Sequence, residues 1–86
     1  MIKREFVENN LLKIINCLPY QITKNNKNYC IRILKEYNTW FIQYNNIYYE
    51  ESLLRIEGTD FIKVLINTII ELDKYVPNFI NNLINI

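Results

Sequence analysis

From position 2 to about 18 the apolar residues Val7, Leu11, Ile14, Ile15 and Leu18 recur at helical spacing, with Glu8, Asn9, Lys13 and Asn16 largely on the other side. This pattern predicts an amphipathic helix that lays one stripe on a second layer, and Pro19 ends it. The stretch TKNNKN (23–28) shows no periodicity and reads as a polar loop. From Tyr29 the period falls to two. YCIRILKEY predicts a strand with Tyr29, Ile31, Ile33 and Tyr37 on one face and Cys30, Arg32, Leu34 and Glu36 on the other. With a turn at Asn38 and Thr39, WFIQY returns as a second strand, and Tyr37 faces Trp40 while Ile33 faces Tyr44. The core face is then Ile31, Ile33, Tyr37, Trp40, Ile42 and Tyr44.

A turn at Asn45 and Asn46 brings IYYEE back as a third strand, with Ile47 and Tyr49 inside and Tyr48 and Glu50 outside. Without that turn the second strand continues and the parity of Tyr48 and Tyr49 inverts, so the pattern leaves two or three strands open. RIEGTD marks the next boundary: Gly58 is the only glycine, and Thr59 or Asp60 is a natural N-cap for the helix DFIKVLINTIIELDKYV. That helix carries Phe61, Leu65, Ile69, Leu72 and Val76 on one stripe, widened by Ile62, Ile66 and Ile70. Pro77 interrupts it, and NFINNLINI makes a short tail helix. The expected class is α+β in one domain of 86 residues: an N-terminal helix, a two- or three-stranded antiparallel sheet, then one long and one short C-terminal helix.

Composition adds limits. Half of the residues are apolar, which is incompatible with a disordered chain. Sixteen Ile, fourteen Asn and seven each of Tyr and Lys, with no Ala, follow AT-rich codons, so the asparagines carry little functional signal by themselves. The net charge of +1 supplies no field toward nucleic acid or an anionic membrane. Residues 1–43 hold seven Lys or Arg against three Glu, and residues 44–86 three against six Asp or Glu, +4 and −3. Such polarity suits a protein partner, although solvated charges account for it equally well. Glu5 and Glu8 interrupt any signal-peptide pattern, and no run of about 20 apolar residues is present, so a cytoplasmic protein without a membrane segment is expected. Cys17 and Cys30 sit among apolar neighbours and read as buried free thiols.

The chemistry-bearing residues are few. Without histidine there is no Ser-His-Asp or Cys-His arrangement, a lone glycine builds no phosphate loop, and a zinc site lacks its usual ligands, so neither an enzyme nor a cofactor is expected. Glu50, Glu51, Glu57 and Asp60 form the one carboxylate cluster of the sequence, and its spacing matches no calcium loop. The outer strand face offers Arg32, Leu34, Phe41, Gln43 and Tyr48, a mixture of apolar anchors and hydrogen-bonding groups of the kind found at interface centres. Glu36 and Glu50 on that face oppose phosphate, which disfavours nucleic acid as the partner.

The run IRILKEYNTWFIQYNNIYYEESLLRIEGTDFIKVLINTIIEL resembles the strand, strand, Gly-Thr-acidic, helix course of HicB-like antitoxin domains, with EGTDFIKVLINTII where those proteins begin their helix. That resemblance implies an antitoxin paired with a toxin. In size and composition the chain also resembles, in kind, the small phage and mobile-element inhibitors that include anti-CRISPR proteins. The expectation is a non-enzymatic inhibitor, encoded by a phage or mobile element and acting in the host cytoplasm on a larger host protein or defence complex. Its contact residues are the outer-face set or the acidic set, and a homodimer through the outer face is an equal alternative. The antitoxin and a small nucleic-acid-binding module are the other functional alternatives.

Overall fold

The computed structural model describes residues 2–48 and 50–86. Among them the order is α1 (Arg4–Asn9), α2 (Leu11–Cys17), β1 (Gln21–Lys24), β2 (Lys27–Glu36), β3 (Thr39–Asn46), β4 (Glu51–Gly58), α3 (Phe61–Leu72) and α4 (Phe79–Ile84). The strands form one antiparallel sheet in the order β1-β2-β3-β4, each paired to the next in sequence. The α+β class is as expected, with four strands where two or three were expected. No helix among the described residues is long and apolar enough to cross a membrane.

Alternation produces a closed and an open face. Cross-strand partners share a face, so the register Ile31 to Tyr44 to Leu54 and Ile33 to Ile42 to Ile56 builds one apolar side. Helix α3 buries Val64, Leu65, Thr68, Ile69 and Leu72 against it, and Val7 of α1, Ile14 of α2 and Phe79 and Leu83 of α4 complete the same core. Trp40 lies at one end of this layer with its ring centroid 4.8 Å from that of Phe61. At the centre, Tyr44 is fully buried and its hydroxyl donates to the Pro19 carbonyl at 2.6 Å. Burial pushes the Tyr44 phenol far above its usual pKa, so it remains a donor at any ordinary pH.

Several boundaries differ from the sequence expectation, each for a local reason. The N-terminal helix is broken at Asn10, whose backbone leaves helical geometry (φ −128°) and whose side-chain amide donates to the Phe6 carbonyl at 2.9 Å. The polar loop at 23–28 is a hairpin: Asn25 and Asn26 take φ of 53° and 63°, as a two-residue type I′ turn requires. The next turn lies one residue earlier than expected, at Tyr37 and Asn38, with Tyr37 at φ 55°. Ile33 therefore pairs with Ile42 instead of Tyr44, and two residues expected in the core are outside it: Tyr37 is 98% exposed in the turn, and Ile33, though on the inner face, is 39% exposed.

Asn45 and Asn46 do not turn. They end β3, where buried Asn46 donates to the Asn28 carbonyl and accepts from the Tyr48 N–H, both at 2.9 Å. The returning strand is ESLLRIEG instead of IYYEE, and Ile47 is exposed instead of inside. The expectation for Tyr49 falls outside the described residues. In β4 the register jumps from Tyr44 with Leu54 to Asn45 with Ser52, which leaves Leu53 as the extra residue of a bulge. The bulge lets Leu53 and Leu54 both pack on the core, which strict alternation forbids. Helix α3 stops at Leu72, short of Val76, and Ile70 faces solvent. Cys17 and Cys30 are free thiols as expected, but neither is buried: Cys17 projects from the solvent side of α2 and Cys30 lies on the open sheet face.

Ile42→Ala should cost about 2–5 kcal/mol, since a fully buried side chain leaves a cavity under α3. Tyr44→Phe should cost about 1 kcal/mol by stranding the Pro19 carbonyl. Denaturant unfolding checks both, and an unchanged midpoint for Ile42→Ala would mean that the two faces are assigned backwards.

Candidate functional site

The face turned away from the helices is a grid of two rows. Arg32, Gln43 and Arg55 lie side by side across β2, β3 and β4, and next to them run Leu34, Phe41 and Glu57. Five of the expected contact residues are thus brought together, Arg32, Leu34, Phe41 and Gln43 of the outer-face set and Glu57 of the acidic set. The sequence reading omitted Arg55, which the alternation of β4 places with Glu57. Its guanidinium lies 4.8 Å from the centroid of the Phe41 ring and 3.8 Å from the Glu57 carboxylate.

Phe41 corrects an expectation. It lies on the outer face, but only 8% of it is exposed, because Arg55 and the neighbouring side chains cover the ring. It is therefore part of a local packing unit, and it lines a depression of about 110 Å³ together with Leu34, Glu36, Gln43 and Arg55.

The other end of the open face is more accessible. A groove of about 760 Å³ runs over Gln21, Asn28, Cys30 and Asn45, walled by Tyr20 before β1 and by Ile47 and Tyr48 in the β3–β4 turn. Tyr20 and Ile47 are each 75% exposed and Tyr48 is 87% exposed. Tyr48 is held by its backbone: its N–H donates to the Asn46 side chain, so the ring projects from a fixed turn. Tyr20 and Ile47 were not legible as contact residues, because their exposure depends on where the two turns fall.

The four acids do not converge. Glu50 and Glu51 stand at the start of β4 and Glu57 and Asp60 at its end, and eight extended residues put about 23 Å between the strand ends. Glu51 accepts from Lys27 at 2.8 Å and from the Tyr29 hydroxyl at 3.0 Å, and these bonds, Lys27 first, hold its carboxyl below the usual range. The Tyr29 phenol is raised, by burial first and then by that bond. Glu50 is exposed in the turn at φ 51°. Asp60 caps α3, accepting from the N–H groups of Ile62 at 3.1 Å and Lys63 at 3.4 Å, and its two oxygens take both terminal nitrogens of Arg4 at 2.6 and 3.2 Å. The Arg4 bond is the first cause of its lowered pKa. Glu51 and Asp60 thus act as structural ties. Among the described residues no three His, Cys, Asp or Glu side chains converge to hold a metal ion.

Comparison with protein-family models, with curated proteins and with solved structures finds no match to this chain.

The depressed Asp60 carboxyl contributes stability that is fully present above the ordinary aspartate pKa and is lost as pH falls through its folded value. Asp60→Asn keeps a capping oxygen and removes the charge that holds Arg4. Its melting temperature should lie below wild type at pH 7 and converge with it as pH falls through the lowered Asp60 value. Parallel melting curves that never converge would assign the loss to the cap instead of to the ion pair.

Proposed function

We propose that the protein is a non-enzymatic binding module that occupies the surface of a larger host protein or complex with the open face of its sheet. One observation carries this reading. The sheet is covered by helices on one side only, and its other side joins the Arg32, Gln43, Leu34 and Phe41 patch to a groove walled by Tyr20, Ile47 and Tyr48. Three large apolar or aromatic side chains held out at 75% exposure or more cost solvation free energy that an interface recovers. Tyrosine and arginine, both present on this face, are also residue types enriched at interface centres.

A phage or mobile-element inhibitor working in the host cytoplasm fits a small chain whose recognisable chemistry is a contact surface. An antitoxin of the HicB-like kind would use the same surface against a toxin. A nucleic-acid module is the weaker reading, because Glu36 and Glu57 place carboxylates in and beside the grid where phosphates would run.

The test avoids Phe41, whose removal would disturb local packing. Tyr20→Ala with Tyr48→Ala should leave stability within about 1 kcal/mol of wild type, as exposed substitutions do. It should weaken a partner captured from the native host and titrated by calorimetry by about 2 kcal/mol or more. Undiminished affinity in a folded double variant would place the contact surface elsewhere and overturn the proposal. Identification of the captured partner as a toxin, a defence complex or a nucleic acid separates the readings.

A further inference from the structure

The sheet has two edges, and they differ. β1 is four residues long, whereas β4 offers eight, paired on one side only. An unpaired strand edge presents backbone donors and acceptors to any second strand, and proteins usually blunt it with a bulge or with charges of one sign that repel a copy. β4 carries a bulge, but at Leu53, which leaves residues 54–58 as a regular segment. It also carries charges, but of opposite sign and placed symmetrically: Arg55 and Glu57 flank Ile56 on the same face, 54% and 56% exposed. Antiparallel pairing of this segment with its own copy about Ile56 sets Arg55 against the second copy's Glu57, Glu57 against its Arg55, and Ile56 against Ile56. Leu54 then meets Gly58, which carries no side chain of its own and lies under Val64, whose Cγ2 is 3.1 Å from the position of a Cβ there. A slip of two residues, the smallest that keeps every side chain on its own face, would set Arg55 against Arg55.

We propose that the chain forms a two-fold symmetric homodimer by antiparallel pairing of the 54–58 edge of β4, giving a continuous eight-stranded sheet. The symmetry is isologous, so one strand supplies both halves of the seam. On the open side the row Arg32, Gln43, Arg55 of one copy continues into Glu57, Phe41, Leu34 of the other, and the two contact surfaces join into one. This inference stands on β4 alone, and its test uses the purified chain without a partner, so it holds or fails independently of the proposed function.

Sedimentation equilibrium under reducing conditions, which prevents disulfide linkage through Cys17 or Cys30, should show a reversible monomer–dimer equilibrium. Arg55→Glu and Glu57→Arg each turn two attractive cross-strand pairs into two repulsive ones and should weaken dimerisation by about tenfold or more. The double swap, Arg55→Glu with Glu57→Arg, restores both pairs and should restore the affinity, which general destabilisation would not do. A wild-type chain still monomeric at about 1 mM overturns the proposal. So do single variants that dimerise as wild type, and a double swap that fails to recover. Should either single variant lose its circular dichroism, amide hydrogen exchange of the wild-type chain decides. Concentration-dependent slowing confined to residues 54–58 supports the seam, and slowing elsewhere or none overturns it.

Discussion

Everything in this fold hangs on the burial of Ile42 and Tyr44 beneath α3. These two residues sit at the middle of the inner face, between Ile31 and Ile33 on one side and Leu54 and Ile56 on the other. Leu65, Ile69 and Leu72, all fully buried, close over the same core. Burial on that scale supplies the main force for a chain this small, because nothing covalent staples it: both cysteines are free. The tyrosine hydroxyl makes the packing directional as well. Its bond to the Pro19 carbonyl fixes where the N-terminal helices hand over to the sheet, and a buried hydroxyl without that partner would be costly.

The same alternation that builds the core leaves every second residue of β2, β3 and β4 on the other side, and nothing folds over them. A second helical layer would need another apolar stripe, and most apolar residues of α1 to α4 are committed to one core, with Leu12, Ile70 and Ile84 left exposed singly on different helices. The open face is therefore a consequence of how the chain spends its hydrophobic residues, and its character follows from local choices. Arg55 over Phe41 keeps the ring covered, while the bond from the Tyr48 N–H to the Asn46 side chain fixes the backbone of an exposed Tyr48. Electrostatic ties sit at the margins: Arg4 with Asp60 binds the N-terminus to the start of α3, and Lys27 with Glu51 binds β2 to the start of β4. Exposed pairs of this kind add register more than they add stability.

Inner and outer residues of β2 and β3 were legible in the sequence even though the turn between them was not. The misplaced turn shifts the pairing of Ile33 from Tyr44 to Ile42, a slip of two residues, and two-residue slips preserve parity. The Asp60 cap was legible because capping is a local event, whereas its Arg4 partner lies 56 residues away and left no local trace. β1 was missed because four residues are too short to show a period. Its real signal was the Asn-Asn pair at 25 and 26, the same chemistry that at 45 and 46 suggested a turn where the structure has the last two residues of β3. The bulge at Leu53 hid β4 by placing two adjacent leucines against the core. Of the candidate contact residues, Arg32, Leu34, Phe41 and Gln43 were legible from parity, whereas Tyr48, expected on the outer face of a third strand, lies in the turn after β3. The acidic set read as a cluster only because sequence proximity ignores the length of an extended strand.

The central claim is that one face of the sheet is closed by helices and the other is free. Paramagnetic relaxation by a soluble gadolinium chelate, read on side-chain resonances of the isotope-labelled chain, tests it directly. Broadening should be strong at the Tyr20 and Tyr48 rings and the Ile47 methyls, intermediate at Leu34, and absent at Ile42, Leu65 and Ile69. Broadening of Ile42 with protection of Leu34 and Tyr48 would contradict it, since the helices would then cover the face assigned here to a partner.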